Sequence, residues 1–238
     1  PATGLADAIA GQFGTWAVMI ALYERDHKSG KGQVIDLSVL EPLFSVLGDQ
    51  ALAYDQLGII QQRTGNRTPS FGAPRNAYQT KDGKWLALSA SAHAMAGRVF
   101  AAIGQPELIY DPRFKDNRAR IAHIDEVDAI VGGWIGAHTA QEVLQRFDEY
   151  ECAIAPVYDI ADIFADPHMQ ARETITTIPD PDLGPVRMQN LVPRFTRTPG
   201  AIRWTGSTRM GQYNEEIYCA KLGMTREQLV ELQERKII

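Results

Sequence analysis

The stretch that most constrains this chain is its opening, "PATGLADAIAGQFGTWAVMIALYERDHKSGKGQVIDLSV". Apolar side chains at helical spacing run from about Ala6 to His27, with Phe13, Ala17, Ile20 and Ala21 on one side and the charged "ERDHK" marking the exposed end. Gly30 and Gly32 stop that helix. "QVIDLSV" then reads as a short strand whose Val34, Ile35 and Leu37 suit a largely buried place beside other strands. A second helix is expected from about Leu40 to Leu57, with Phe44, Leu47 and Leu52 inside. Helix, tight turn, strand and helix in that order is the grammar of a layered α/β domain.

From Gln61 the composition turns polar and rich in Gly, Pro, Asn and Thr, "QQRTGNRTPSFGAPRN", which marks a linker or a functional loop. "AYQTKDGKWLALSA" reads as a β-hairpin turning at Lys81 to Gly83, with Tyr78 and Trp85 as hairpin core. Helices are expected at about Ala92 to Ile103, Arg118 to Ala137 and Ala140 to Tyr150, the last with Thr139 and Glu142 as a capping box. "CAIAPV" is a strand candidate, and Asp159 to Ala171 holds a short helix or two interrupted at Pro167. This middle segment reads as a small α+β domain of its own. Further strand candidates are "TITTIPD", "GPVRMQN" and "PRFTRTPG". A helix through "NEEIYCAKLG", ended by Gly223, precedes a last helix from Thr225, whose Gln228 completes another capping box.

Composition removes several classes of function. In 238 residues the charges are interspersed and sum to -5, so no basic stripe of the nucleic-acid-binding kind exists. The apolar run from Phe13 to Tyr23 is shorter than the roughly 20 residues a bilayer span needs, and no cleavable leader pattern precedes it. A cytoplasmic protein with no membrane partner is therefore expected. Cys152 and Cys219 lie far apart, and the five histidines show no ligand spacing, which argues against a disulfide framework or a metal site. GxSxG, Walker and GxGxxG motifs are absent. "SGKGQ" at Ser29 to Gln33 lacks phosphate-loop spacing and reads as a turn.

Asp7 is the one residue whose setting asks for a reason. It sits among Ala6, Ala8, Ala10 and Gly11 at the start of the long helix. A helix cap would account for it, because a carboxylate there accepts from free amides and suits the positive end of the dipole.

Beyond these local readings, "LADAIAG", "ALYERDHKSGKGQVIDLSVLE", "GNRTP" followed by "AYQTKDGKWLALS", then "DPRF", "APVYDIADIFADPHMQARE" and "LGMTREQLVELQERKII" occur in an order that resembles the family III CoA-transferases. That group includes formyl-CoA and carnitine CoA-transferases and acyl-CoA racemases. The resemblance implies an α/β fold comprising part of a Rossmann-like large domain and a smaller α+β domain, in an interlinked homodimer. It places residues 1–60 in the large domain, 61–74 in a linker or active-site loop and 75–170 in the small domain. Residues 171–189 would form a return linker, and 190–238 would pack back on the large domain. Family chains are longer, so the sequence reads as the C-terminal part of a member, with most CoA contacts expected upstream of Pro1.

The same resemblance makes Asp7 the catalytic carboxylate. It implies transfer of CoA from an acyl-CoA donor to a carboxylic acid acceptor, with coenzyme A as substrate and no permanently bound cofactor. Gly65, Asn66 and Gly72 match the glycine-rich loop that shields the intermediate, although a run of glycines is absent. The racemase branch is the alternative within the family. It would place a glutamate where this sequence carries Ala92, and its partner histidine would lie upstream. A non-catalytic fragment is the remaining alternative.

Overall fold

The computed structural model describes residues 3–67, 71–206 and 209–238. Its internal contacts divide the chain into two compact units, Pro1–Asn66 and Arg67–Ile238.

In the first unit, α1 spans Leu5–Glu24 and continues as one π-helical turn, Arg25–Ser29. Gly30 ends it at φ 67°, a left-handed conformation that costs glycine nothing. Together they make a helix of 25 residues with an 18-residue stretch of mean hydropathy 1.4, long and apolar enough by length and composition alone to cross a bilayer. Little of α1 is covered: Ala10 is buried, whereas Met19 and Ile20 are 60% and 67% exposed. Residues 31–38 return past the helix, with Leu37 so close to Gly14 that a Cβ added there would lie 3.3 Å from the leucine Cδ2.

Two expectations fail in this unit. "QVIDLSV" forms no strand, and Val34 is 95% exposed, because among the described residues no neighbouring strand offers its backbone a ladder. The helix expected from Leu40 to Leu57 is two, α2 (Leu40–Ser45) and α3 (Gln50–Leu57). Gly48, at φ 75°, interrupts it, and Phe44, Leu47 and Leu52 are exposed rather than inside. Ser38 starts α2 by accepting from the Glu41 amide at 3.1 Å while its hydroxyl donates to the Glu41 carboxylate at 2.7 Å.

The second unit is built on a three-stranded antiparallel sheet in the order β1 (Arg75–Gln79), β2 (Trp85–Ser89), β3 (Ile154–Pro156). The hairpin register pairs Tyr78 with Leu86 and Ala77 with Ala87. Its core face is set by Tyr78, Leu86 and Leu88; Trp85, expected inside, points the other way and is 44% exposed, since neighbouring strand residues face opposite sides. The hairpin turn docks through the Asp82 carboxylate, which accepts from the Ala140 amide at 3.0 Å and from the Thr80 hydroxyl at 2.6 Å.

Helices α4 (His93–Ala102), α6 (Ile124–Gly136) and α7 (Ala140–Glu149) complete this core, and the short α5 (Asn117–Ala122) buries only Arg120. Val127, Val131 and Ile135, one helical turn apart on α6, are fully buried with Phe100, Phe114, Val143 and Phe147. Each such side chain contributes about 1.5–3 kcal/mol by leaving water. The single helix expected from Arg118 to Ala137 breaks at His123, whose backbone (φ −115°, ψ 34°) leaves the helical region. The Thr139–Glu142 capping box of α7 forms as its sequence indicates.

Downstream, α8 (Ile160–Ala165) and α9 (Pro167–Ala171) meet at Asp166 and Pro167, and β4 (Ile175–Asp180) pairs with β5 (Gly184–Gln189) in a two-stranded antiparallel hairpin. "PRFTRTPG" is irregular, because among the described residues no strand pairs with it. A π-helical segment, Glu215–Lys221, and α10 (Arg226–Glu234) close the chain, α10 with its Thr225–Gln228 capping box and Leu229 buried.

Candidate functional site

Asp7 lies in the first turn of α1, but it is not the cap. The N-cap is Gly4, and no side chain accepts from the helix end. Among the described residues the Asp7 carboxylate is exposed and joins no hydrogen bond or ion pair. It folds back over Gly4, where an added Cβ would lie 2.8 Å from its Oδ2, so the missing side chain at Gly4 is what leaves room for the carboxylate. Ala6 and Ala8 flank it, and Gly11 carries open space on its side of the helix. A carboxylate free of partners, near unsatisfied amides and small neighbours, is open to an incoming electrophile.

The loop residues fall into two settings. Gly65 and Asn66 make a turn at the end of the first unit, with Gly65 at φ 65° and open space around it. Gly72 belongs to the second unit and is buried at φ 135°. A Cβ there would lie 2.5 Å from Asn117 Oδ1 and 2.9 Å from Ser91 Cβ, so only glycine fits. Thr68 and Pro69 of "GNRTP" lie outside the described residues.

Two charged groups that the sequence reading did not single out organise the second unit around this stretch. Arg67 bonds Asp128 at 2.6 Å and Asp125 at 2.7 Å. Asp128, nearly buried, also accepts from Tyr78 OH at 2.6 Å and Asn76 Nδ2 at 2.9 Å. Burial, and then the bond to Asp128, hold the Tyr78 phenol far above its ordinary pKa, so it stays a donor. Arg120 is fully buried, and its guanidinium donates to the carbonyls of Ala73 (2.7 Å), Phe114 (3.0 Å) and Ser91 (3.4 Å). Burial lowers its pKa, yet a guanidinium stays charged. Arg67 was visible in "GNRTP"; nothing in "NRARIA" separates Arg120 from its exposed neighbour Arg118 before folding.

Other chemistry-bearing residues offer less. Burial pushes the Cys152 thiol up to about 11, which leaves little thiolate at neutral pH. Among the described residues no group of three or more His, Cys, Asp or Glu side chains could hold a metal ion.

The chain is 38% identical over 234 residues to the succinyl-CoA:D-citramalate CoA-transferase of Chloroflexus aurantiacus, a match covering 98% of this chain and 58% of that protein. It is 36% identical over 237 residues to the beta subunit of the succinyl-CoA:L-malate CoA-transferase of the same organism, covering 99% and 58%. The chain thus spans somewhat over half the length of these curated relatives. A crystal structure of a CaiB/BaiF family protein from Brucella suis shares the fold with a TM-score of 0.75 at 25% identity, over 92% of this chain and 56% of that one. The description of CoA-transferase family III matches residues 1–212, and the chain belongs to that family.

Proposed function

We propose that the whole protein transfers CoA from an acyl-CoA donor to a carboxylic acid acceptor, with Asp7 as the nucleophile. The observation that carries this reading is the unpartnered Asp7 carboxylate in the first turn of α1, in a chain of this family. A carboxylate oxygen of Asp7 attacks the thioester carbonyl and expels CoA as thiolate, which leaves an acyl-aspartyl anhydride. The thiolate then attacks the aspartyl carbonyl, releasing the donor acid and forming an aspartyl-CoA thioester. The acceptor carboxylate displaces CoA from that thioester, and the thiolate returns to the acceptor's carbonyl, freeing Asp7.

Gly65, Asn66 and Gly72 belong, on this reading, to the loop that keeps water from the anhydride. CoA and the two acids are substrates, and no resident cofactor is invoked. The relatives named for succinyl-CoA make a dicarboxylic acyl-CoA the first donor to test. Ala92, where the racemase branch would carry glutamate, favours transfer over racemisation. Residues 1–60 and 190–238 are assigned to a large α/β domain and 75–170 to a small one, in a cytoplasmic, interlinked homodimer. The apolar α1 is then a packing helix rather than a membrane span. Sedimentation of the full-length protein as a monomer at micromolar concentration would overturn the dimer.

The decisive experiment incubates full-length enzyme with a panel of acyl-CoAs, traps with hydroxylamine and maps the modified peptide. Modification at Asp7 is expected. Modification at another residue, or none with any donor that supports turnover, would refute the assignment.

A further inference from the structure

Two cavities near the β4–β5 hairpin each have an arginine in the wall, and only one of these arginines has its charge met. In the first, Arg194 lies 3.5 Å from the Glu173 carboxylate, and both residues line the space. The second lies between α8, α9 and the hairpin, with Arg187 of β5 in its wall. Among the described residues the Arg187 guanidinium makes no hydrogen bond and no ion pair. It rests instead on the Phe164 ring of α8, 4.4 Å from the ring centroid. Stacking on an aromatic face leaves the in-plane N–H donors of a guanidinium open to a ligand.

Thr177 is the register partner of Arg187 across the hairpin, so the two side chains share a face. Its hydroxyl also makes no hydrogen bond among the described residues. The Gln170 amide, by contrast, is already committed, donating to the Phe164 carbonyl at 3.1 Å. Ile163, Phe164, Met169 and Ile175 make up the rest of the wall. A planar cation and one hydroxyl on an apolar wall match a carboxylate, which takes two parallel bonds from the fork, joined to a hydrocarbon tail. A second carboxylate would find no second cation among the lining residues and would lose its hydration without return. The cavity holds about 200 Å³, below the roughly 300 Å³ at which sites for drug-sized ligands begin, so the acid it fits is short.

We propose that this cavity binds a short aliphatic monocarboxylate, with Arg187 and Thr177 donating to the carboxylate and Ile163, Met169 and Ile175 receiving the tail. The site lies within the second unit, and its occupation does not depend on the CoA-transfer reading.

The test titrates the full-length protein, free of CoA and thioesters, with butyrate, succinate or inorganic phosphate. Methionine labelled with ¹³C at the methyl group reports on the cavity through Met169, whose resonance is assigned by its loss in Met169→Leu. Butyrate is expected to shift that resonance and to saturate at roughly millimolar acid. Succinate, with an unmet second charge, and phosphate, with no tail, are each expected to bind at least about tenfold more weakly. Arg187 is exposed, so Arg187→Gln is expected to leave the melting temperature unchanged while weakening butyrate at least about tenfold, the loss of a charge-assisted hydrogen bond. A Met169 resonance that does not move, or that moves without saturating, would overturn the proposal. So would equal butyrate affinity in Arg187→Gln, or phosphate binding as tightly as butyrate, which would leave an adventitious anion site only.

Discussion

The two units of this chain use similar apolar residues to opposite ends. On α6, Val127, Val131 and Ile135 recur one turn apart and are fully buried beneath the sheet and α7. On α1, Trp16, Met19, Ile20 and Tyr23 recur at comparable spacing and are each more than half exposed. Periodicity therefore tells which residues avoid water, while burial depends on what else is present to cover them. The second unit closes its own core. The first holds the proposed reactive carboxylate on a helix that the described residues barely cover. Chemistry and stability are thus expected to separate between the units, and each of the following measurements tries that separation.

The largest effect is expected at Asp7. In the full-length protein Asp7→Ala should lower transfer by a factor of about 1,000 or more while leaving CoA binding and the melting temperature nearly unchanged. Retained activity would break the assignment of chemistry to the first unit. Next comes a matched pair of phenylalanines in the 238-residue chain. Phe147→Ala empties a fully buried site and should cost about 3–5 kcal/mol, whereas Phe44→Ala, at a residue 55% exposed, should cost less than about 1 kcal/mol in urea unfolding. Equal losses would show that the first unit closes a core as the second does.

A smaller, sharper probe is Gly4→Ala. The new methyl would occupy the space into which the Asp7 carboxylate folds, forcing that side chain to another rotamer. The expected result is a drop of about tenfold in kcat with little change in stability, checked by steady-state kinetics beside thermal unfolding. The smallest effect is one of pH, in the β4–β5 turn. The Thr205 hydroxyl and then the amides of Leu183 and Asp182 donate to Asp180, holding its carboxyl below the usual carboxylate range. A lowered folded-state pKa means the stabilisation is complete above the ordinary aspartate value of about 3.9 and fades as pH falls through the folded value. Melting temperatures followed down through that range should decline more steeply in wild type than in Asp180→Asn.

Much of the second unit was legible before folding because its signals are local. The Lys81–Gly83 turn, the capping boxes at Thr139 and Thr225, and the break at Pro167 each act within a few residues. Trp85 was misplaced because a strand's parity is set by the face its partners cover, here the face of Leu86 and Leu88. In the first unit Gly30 was legible as a stop, but the strand at "QVIDLSV" was not realised. A strand needs a neighbouring backbone, and none is supplied among the described residues. Asp7 stood out by its company; its lack of a partner, and the room that Gly4 gives it, did not.

By itself the sequence determined the capped starts of the helices after Thr139 and Thr225, the stop at Gly30, and that an acid sits in the first turn of a long apolar helix. Those outcomes depend on hydrogen bonds and backbone preferences spanning a few residues. Only the tertiary structure decided that Arg120 would be buried against three carbonyls and Arg118 exposed, that Gly72 would be walled in by Asn117 and Ser91, and that Asp128 would gather Arg67, Tyr78 and Asn76. Each of these joins segments tens of residues apart, and the free energy of a buried charge depends on partners that exist only once those segments have met.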